Sequence, residues 1–238
     1  FILRKSLTPV NLKKLVIAKD LLPEVFSVGV ASLIYPVMML IQEFVVFNSI
    51  AYYGTDNDIA FFGATVKIIS LIFIPAMGIS QALQPVIGMN YGAKQDKRIK
   101  QAYLTFSFFG IVLLLLIWFP LQLSPKSFFN LILPEVNFTE NDVLNFRILS
   151  IFIPVIGLAN FSNSLFISLG KGTTVLGVLL LRIMVLNVPM VLLFSRIYGV
   201  RGVYSGRLIA DIIFMLIVFI LTVLEFKKLS KLKLEEGI

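Results

Sequence analysis

The chain has 238 residues, of which 58% are hydrophobic and 14% charged, and 22 are phenylalanine. A water-soluble domain carries about 25% charged residues; one globular core of this length cannot hide so much apolar surface, so lipid is the solvent the composition points to. Cysteine and histidine are both absent, which excludes disulfide frameworks, thiol nucleophiles, imidazole bases and the usual zinc sites.

In chain order, residues 1–26 come first. They are basic and amphipathic and lack the apolar run and cleavage site of a signal peptide. They read as a cytoplasmic connector within a longer protein. Six segments then supply the roughly 20 apolar residues that a membrane-crossing helix needs. They are 27–51, 59–81, 102–123, 146–169, 174–195 and 199–224, and a basic tail follows at 226–238. Backbone groups in lipid must be paired within the segment, so runs of this length are helices rather than strands. Pro36, Pro75, Pro120, Pro154 and Pro189 lie inside these spans. That is tolerated in membrane bundles, where neighbours satisfy the freed carbonyls. The expected fold is an all-α integral membrane bundle of six helices.

The formal charge of +8 raises the question of nucleic acid. The placement of the charges argues for a membrane instead. Arg4, Lys5, Lys13, Lys14 and Lys19, then Lys94, Lys97, Arg98 and Lys100, then Lys171, Lys227, Lys228, Lys231 and Lys233 all fall on one side of the six spans. Only Lys126, Arg196 and Arg201 fall on the other, which also holds the acidic "TDND" and "TEND". The positive-inside rule places both termini in the cytoplasm. The predicted surroundings are a bilayer, with no nucleic acid and a cell-membrane location. "NFT" at 137–139 matches a glycosylation sequon of the kind that arises often by chance.

Between spans two and three, Pro85 is expected to interrupt the helix, and Gly88 and Gly92 to bracket a turn at Asn90–Tyr91.

Ionisable residues at membrane depth are functional candidates. Glu43 and Lys67 fall at similar depth on consecutive spans and are expected to meet, either as a carboxylate that exchanges its lysine for a cation or as a fixed structural pair. Asp211 follows Arg207 by four residues, the spacing of a pair on one helix; Arg182 lies in the fifth span. These are readings of helix glue or of a cavity. Uncharged cavity candidates are Gln42 and Asn48 in the first span and Asn160 and Asn163, with Ser162 and Ser164, in the fourth. Tyr35, Phe44 and Phe47 are candidates to stack on an organic cation. Gly202, Gly206 and Ala210 form a small-residue row suited to close helix packing.

The stretch "GISQALQPVIGMNYGAKQDKRIKQA" carries a resemblance through Gly78, Gln81, Gln84, Pro85, Asn90, Tyr91, Gly92, Ala93 and Arg98. It resembles the segment after the eighth helix of the multidrug and toxic compound extrusion (MATE) family. "SLGKGTTVLGVLLLRIMVLNVPMVLLF" and "YGVRGVYSGRLIADII" resemble later segments of the same lobe, in the same order. Arg207 departs from the proline or apolar residue usual there. The resemblance implies the C-terminal six-helix lobe of a twelve-helix antiporter, with an N-terminal lobe as its partner. It also implies amphipathic organic cations as substrates, and H⁺ or Na⁺ as the counter-ion in place of any organic cofactor. The family's coupling glutamate in this helix aligns with Met39; Glu43 lies one turn away on the same face. Lys67 matches a basic residue common in the family. A lipid-linked sugar flippase and a noncatalytic membrane half-protein are the rival readings, and an enzyme is not expected.

Overall fold

The computed structural model describes residues 22–132, 134 and 138–235. The expectations for residues 1–21, for the sequon at Asn137, for the side chains of Tyr35, Lys231 and Lys233 and for the last three residues lie outside it. All regular elements among the described residues are helical. They are α1 (Leu22–Tyr53), α2 (Asp56–Gly92), α3 (Asp96–Leu123), α4 (Pro125–Ile132), α5 (Glu140–Ser150), α6 (Ile153–Ser168), α7 (Gly172–Leu180), a π-helical segment (Leu181–Asn187), α8 (Val188–Tyr198) and α9 (Val200–Glu235). α5 and α6 form one apolar span, as do α7, the π segment and α8; with α2, α3 and α9 these are long and apolar enough to cross a membrane. α1, at 32 residues, is the sixth long helix of the bundle.

The helices run alternately between two ends that differ in charge. The acidic end carries Asp56, Asp58, Glu140 and Asp142, and the basic end Lys94, Lys97, Arg98, Lys100, Lys171 and Lys227. At the acidic end, carboxylates cap helices. The Asp58 carboxylate accepts from the Thr55 backbone N–H at 2.7 Å, and Asp142 accepts from that of Thr139 at 2.8 Å. These satisfy donors that a helix start leaves open and set negative charge against the positive helix end. α4, which the hydropathy pattern does not announce, folds against this end and buries Phe129. The Phe129 ring meets Phe61 at 4.8 Å and Phe146 at 5.1 Å.

α6 is the central post and packs against α2, α3 and α9. Small residues admit large ones around it. A Cβ on Gly110 would lie 2.1 Å from the Phe161 ring, and one on Gly157 would lie 2.2 Å from Leu114. The small-residue row of α9 does pack closely. Gly202 and Gly206 lie against the backbone carbonyls of Phe194 and Met190 in α8.

Prolines shape the spans in three ways. Contrary to the expected interruption, α2 runs unbroken through Pro75 and Pro85 to Gly92. The turn falls later, at Ala93–Gln95, where Lys94 takes φ 55° and the Gln95 N–H donates to the Asn90 carbonyl at 2.8 Å. A proline costs one hydrogen bond and a local bend, less than exposing several backbone groups to lipid. In the fourth span, Pro154 cannot donate to the carbonyl of Ser150, and the helix breaks between α5 and α6. The single tryptophan repairs the loss: Trp118 Nε1 donates to the Ser150 carbonyl at 2.7 Å. Trp118→Phe is therefore expected to cost about 1–3 kcal/mol, the penalty of an unpaired buried carbonyl; thermal unfolding of the full-length protein in detergent would read it. In the fifth span the π turn ends just before Pro189, whose ring would otherwise press on the carbonyl of Val185.

Candidate substrate and ion-coupling site

Two charge pairs cross the interior, and neither is the pair expected from spacing. Asp211 does not turn to Arg207 on its own helix. It accepts from Arg182 in the π segment, whose Nε and Nη2 lie 3.1 and 2.9 Å from Oδ1. The Arg182 guanidinium also sits 4.8 Å over the Phe214 ring. Arg207 reaches the other way, to α1, where its Nη2 lies 3.4 Å from Glu43 Oε1. α9 is flanked by both α1 and the π segment, so each carboxylate finds a guanidinium across a helix interface rather than along a helix.

Glu43 accordingly does not meet Lys67. Thr65, Ile68, Ile72 and Ala76 are the face that α2 buries, and Lys67 lies on the opposite face with Leu71, Ile74, Met77 and Gln81, all exposed. The expectation rested on depth along the spans alone, and rotation about the helix axis turns the lysine away.

The two pairs differ in quality. Asp211 is 5% exposed and takes two charge-assisted bonds. The Glu43–Arg207 contact is long, and both Glu43 Oε2 and Arg207 Nη1 are buried with no hydrogen-bond partner. A third pair, Lys171–Glu225, ties the α6–α7 turn to α9 at the basic end. Glu225 escaped notice in the sequence because it sits near the tail.

The polar stretch of α6 holds helices together on two sides. Toward α2, the Ser80 and Ser164 hydroxyls lie 2.7 Å apart, Ser80 Oγ donates to the Asn160 carbonyl at 2.9 Å, and Gln84 Nε2 donates to Ser164 Oγ at 3.2 Å. Toward α3 and α9, Ser162 Oγ bonds the Tyr103 hydroxyl at 2.9 Å and accepts from Thr222 Oγ1 at 3.0 Å. Asn160 and Asn163 are half-buried, and Gln42 is buried beside Glu43 in sequence. Asn48 is exposed, and its amide donates to its own helix at the Phe44 carbonyl.

Of the motif around Pro85, Gln84 alone reaches across to another helix through its side chain. Gly78, Gln81, Pro85, Tyr91 and Gly92 are exposed, and the Asn90 amide donates to Val86 one turn back. One buried polar residue had no signal in the sequence. Asn187 closes the π turn, is fully buried, and has neither amide atom bonded within the protein.

α1 and α2 thus present an uncovered face. Leu40 and Phe44 on α1 are each 70% exposed, and Leu71 and Ile74 on α2 are 61% and 60% exposed. Among the described residues Lys67 is the exposed charge in the middle of a span, and the carboxylates inside the spans, Glu43 and Asp211, are both paired with basic side chains.

The MatE family profile matches residues 28–193. A curated relative, the FAD transporter of Shewanella oneidensis, is 29% identical over 164 residues, covering 66% of this chain and 35% of that protein. Among solved structures, a MATE in the bent conformation superposes with a TM-score of 0.84 at 21% identity, over 97% of this chain and 51% of that one. The inward-facing conformation of a multidrug resistance MATE family transporter of the MOP superfamily gives 0.83 at 21% identity, over 97% and 54%. The chain spans about half the length of these structures and about a third of the curated relative.

Proposed function

The chain belongs to the MatE family, and from that premise we propose that it is one six-helix lobe of a secondary active antiporter. In this reading it rocks against a second lobe and moves an amphipathic organic ion against a flow of H⁺ or Na⁺. The basic end faces the cytoplasm and the location is the cell membrane. Catalysis of a covalent step is not part of the role.

The observation that carries the reading is the half-made Glu43–Arg207 pair. A carboxylate held at 3.4 Å by one oxygen, with the other oxygen buried and unpartnered, can leave its guanidinium for a proton or a sodium ion. Pairing in one conformation and ion loading in the other is what coupling requires: the ion must bind the two states with different affinity.

Two substrate classes follow. The exposed aromatic and apolar face around Phe44 suits amphipathic organic cations, as the family resemblance implies. The exposed Lys67, with every carboxylate at depth already paired, favours an aromatic anion. The curated relative's name supplies a probe of that kind, FAD. We take the anionic reading as the better supported by the charges and keep the cationic one beside it.

The test uses the full-length protein in proteoliposomes under an imposed pH or Na⁺ gradient, with FAD and a fluorescent organic cation offered separately. Gradient-driven movement of one is expected. In Glu43→Gln it should fall at least about tenfold, because losing a coupling group removes the differential ion binding. Undiminished gradient-driven transport in that variant would remove Glu43 from coupling and leave it a structural partner of Arg207.

A further inference from the structure

Four of the buried polar atoms that lack a hydrogen-bond partner follow one another inward from the acidic end. They are Asn145 Oδ1 in α5, the Tyr204 hydroxyl and Arg207 Nη1 in α9, and Glu43 Oε2 in α1. Helix register sets their order. α5 and α9 pack together, and both run inward from the acidic end. At that end Arg201 Nη2 donates to Asn141 Oδ1 at 3.2 Å. One turn deeper on the same two helices come Tyr204 and Asn145. One turn deeper again on α9 comes Arg207, which reaches Glu43.

The outer end of this row opens to solvent. Asn145 lines a basin of about 500 Å³ together with Asp58, Asp142 and Arg201. Below it the Tyr204 ring is buried, 6.1 Å from the Phe62 ring and 6.4 Å from that of Phe61. Its hydroxyl stands in the field of Asp58 from α2 and Asp142 from α5 on the outer side, and of Arg207 on the inner side. Ring packing would be served as well by phenylalanine. The hydroxyl is a different matter, because burying one without a partner is unfavourable and calls for a reason beyond packing.

We propose that Tyr204 is a proton relay between the outer basin and Glu43, its hydroxyl bridged by water to Asn145 on one side and toward the Arg207–Glu43 contact on the other. The proposal rests on the coupling role of Glu43 and deepens it, naming H⁺ as the ion and the outer face as its source. A hydroxyl both donates and accepts. Its oxygen takes a proton from water on the basin side as its own proton leaves toward Glu43, and rotation of the hydroxyl resets it. One proton moves in net, only O–H bonds form and break, and the neutralised Glu43 releases Arg207. A sodium ion cannot travel along a hydroxyl in this way, so the route serves H⁺ alone.

The experiment uses the full-length protein in proteoliposomes with an imposed pH gradient, and FAD and a fluorescent organic cation as probes. Tyr204→Phe keeps the ring and removes the hydroxyl. The initial H⁺-driven rate is expected to fall at least about tenfold, since a positioned proton-transfer group contributes roughly 10²–10⁴ in rate and water replaces it in part. Probe affinity should be unchanged and the melting temperature no lower, because no hydrogen bond within the protein is lost. Asn145→Leu should slow the same rate. Tyr103→Phe, which removes a buried hydroxyl bonded to Ser162 far from this row, should not. A wild-type H⁺-driven rate in Tyr204→Phe would overturn the relay; with Glu43→Gln still deficient, coupling through Glu43 would stand without it. A slow rate accompanied by weaker probe binding or a lower melting temperature would also overturn it, leaving the hydroxyl a structural group. Transport driven by Na⁺ and not by H⁺ would overturn the relay while keeping Glu43 as a sodium-coupled carboxylate. Undiminished H⁺-driven transport in Glu43→Gln would remove the end of the path and overturn both readings.

Discussion

Asp211→Leu is expected to destabilise the full-length protein by about 3–5 kcal/mol, the cost of stranding a buried charge. Arg182 would be left 22% exposed in the side chain with no carboxylate, still stacked on Phe214. Arg182→Met should cost a similar amount by stranding Asp211 instead. The informative variant is the double one. A buried pair gains little over apolar residues of the same volume, so Arg182→Met with Asp211→Leu should recover most of the loss. Thermal unfolding in detergent would show the single variants lower by on the order of 10 °C and the double variant close to wild type. If the two losses simply added, the groups would not be acting as a pair. The same cycle on Glu43 and Arg207 should give a smaller coupling, because that contact is longer and half of each group is already unpartnered.

Gly202→Val is the second large effect. A Cβ there would lie 2.0 Å from the Phe194 carbonyl oxygen and 2.4 Å from its carbon. These are backbone atoms of α8, so no rotamer change relieves the clash, and α8 and α9 must move apart. Overpacking a core costs about 1–3 kcal/mol when side chains can adjust; here the loss should reach or exceed the top of that range. The turn before it gives no slack, because Gly199 joins α8 to α9 with φ 60°. Separation of these helices would also disturb the Arg207–Glu43 contact one turn along α9. The matched control is Gly177→Ala in α7, where nothing lies within 4 Å of the added carbon; it should be neutral or gain up to about 1 kcal/mol from helix propensity. Folded yield and melting temperature of the full-length protein distinguish the two. Equal tolerance of Gly202→Val and Gly177→Ala would contradict the close α8–α9 approach.

How far the sequence reaches depends on the range of the physics involved. The helical bundle with alternating direction was legible, because apolar length, backbone satisfaction in lipid and charge at the ends are properties of each segment alone. The Gly202–Gly206 row was legible for the same reason: small residues at helical spacing announce a close neighbour, though not which one. Local rules also misled. Pro85, Gly88 and Gly92 suggested a break, but lipid penalises exposed backbone more than a bent helix, and α2 continues. Residues 125–132 gave too short a signal to be read as α4, whose place is held by Phe129 packing into an aromatic cluster from distant parts of the chain.

For the candidate site the sequence determined which charged groups lie at membrane depth, and the tertiary structure decided how they pair. Glu43, Arg207, Asp211 and Arg182 can all be named from hydropathy alone, since each interrupts an apolar run. Their partners depend on the rotation of each helix and on its neighbours, and neither is encoded in the spacing within one segment. Lys67 illustrates the limit: one residue before buried Ile68, it points about 100° away and faces out of the lobe. The repair of the Ser150 carbonyl by Trp118, 32 residues earlier, and the burial of Asn187 in a π turn belong to the same class. They exist only once helices are side by side, because a hydrogen bond in lipid is satisfied by whichever group the packing brings within reach.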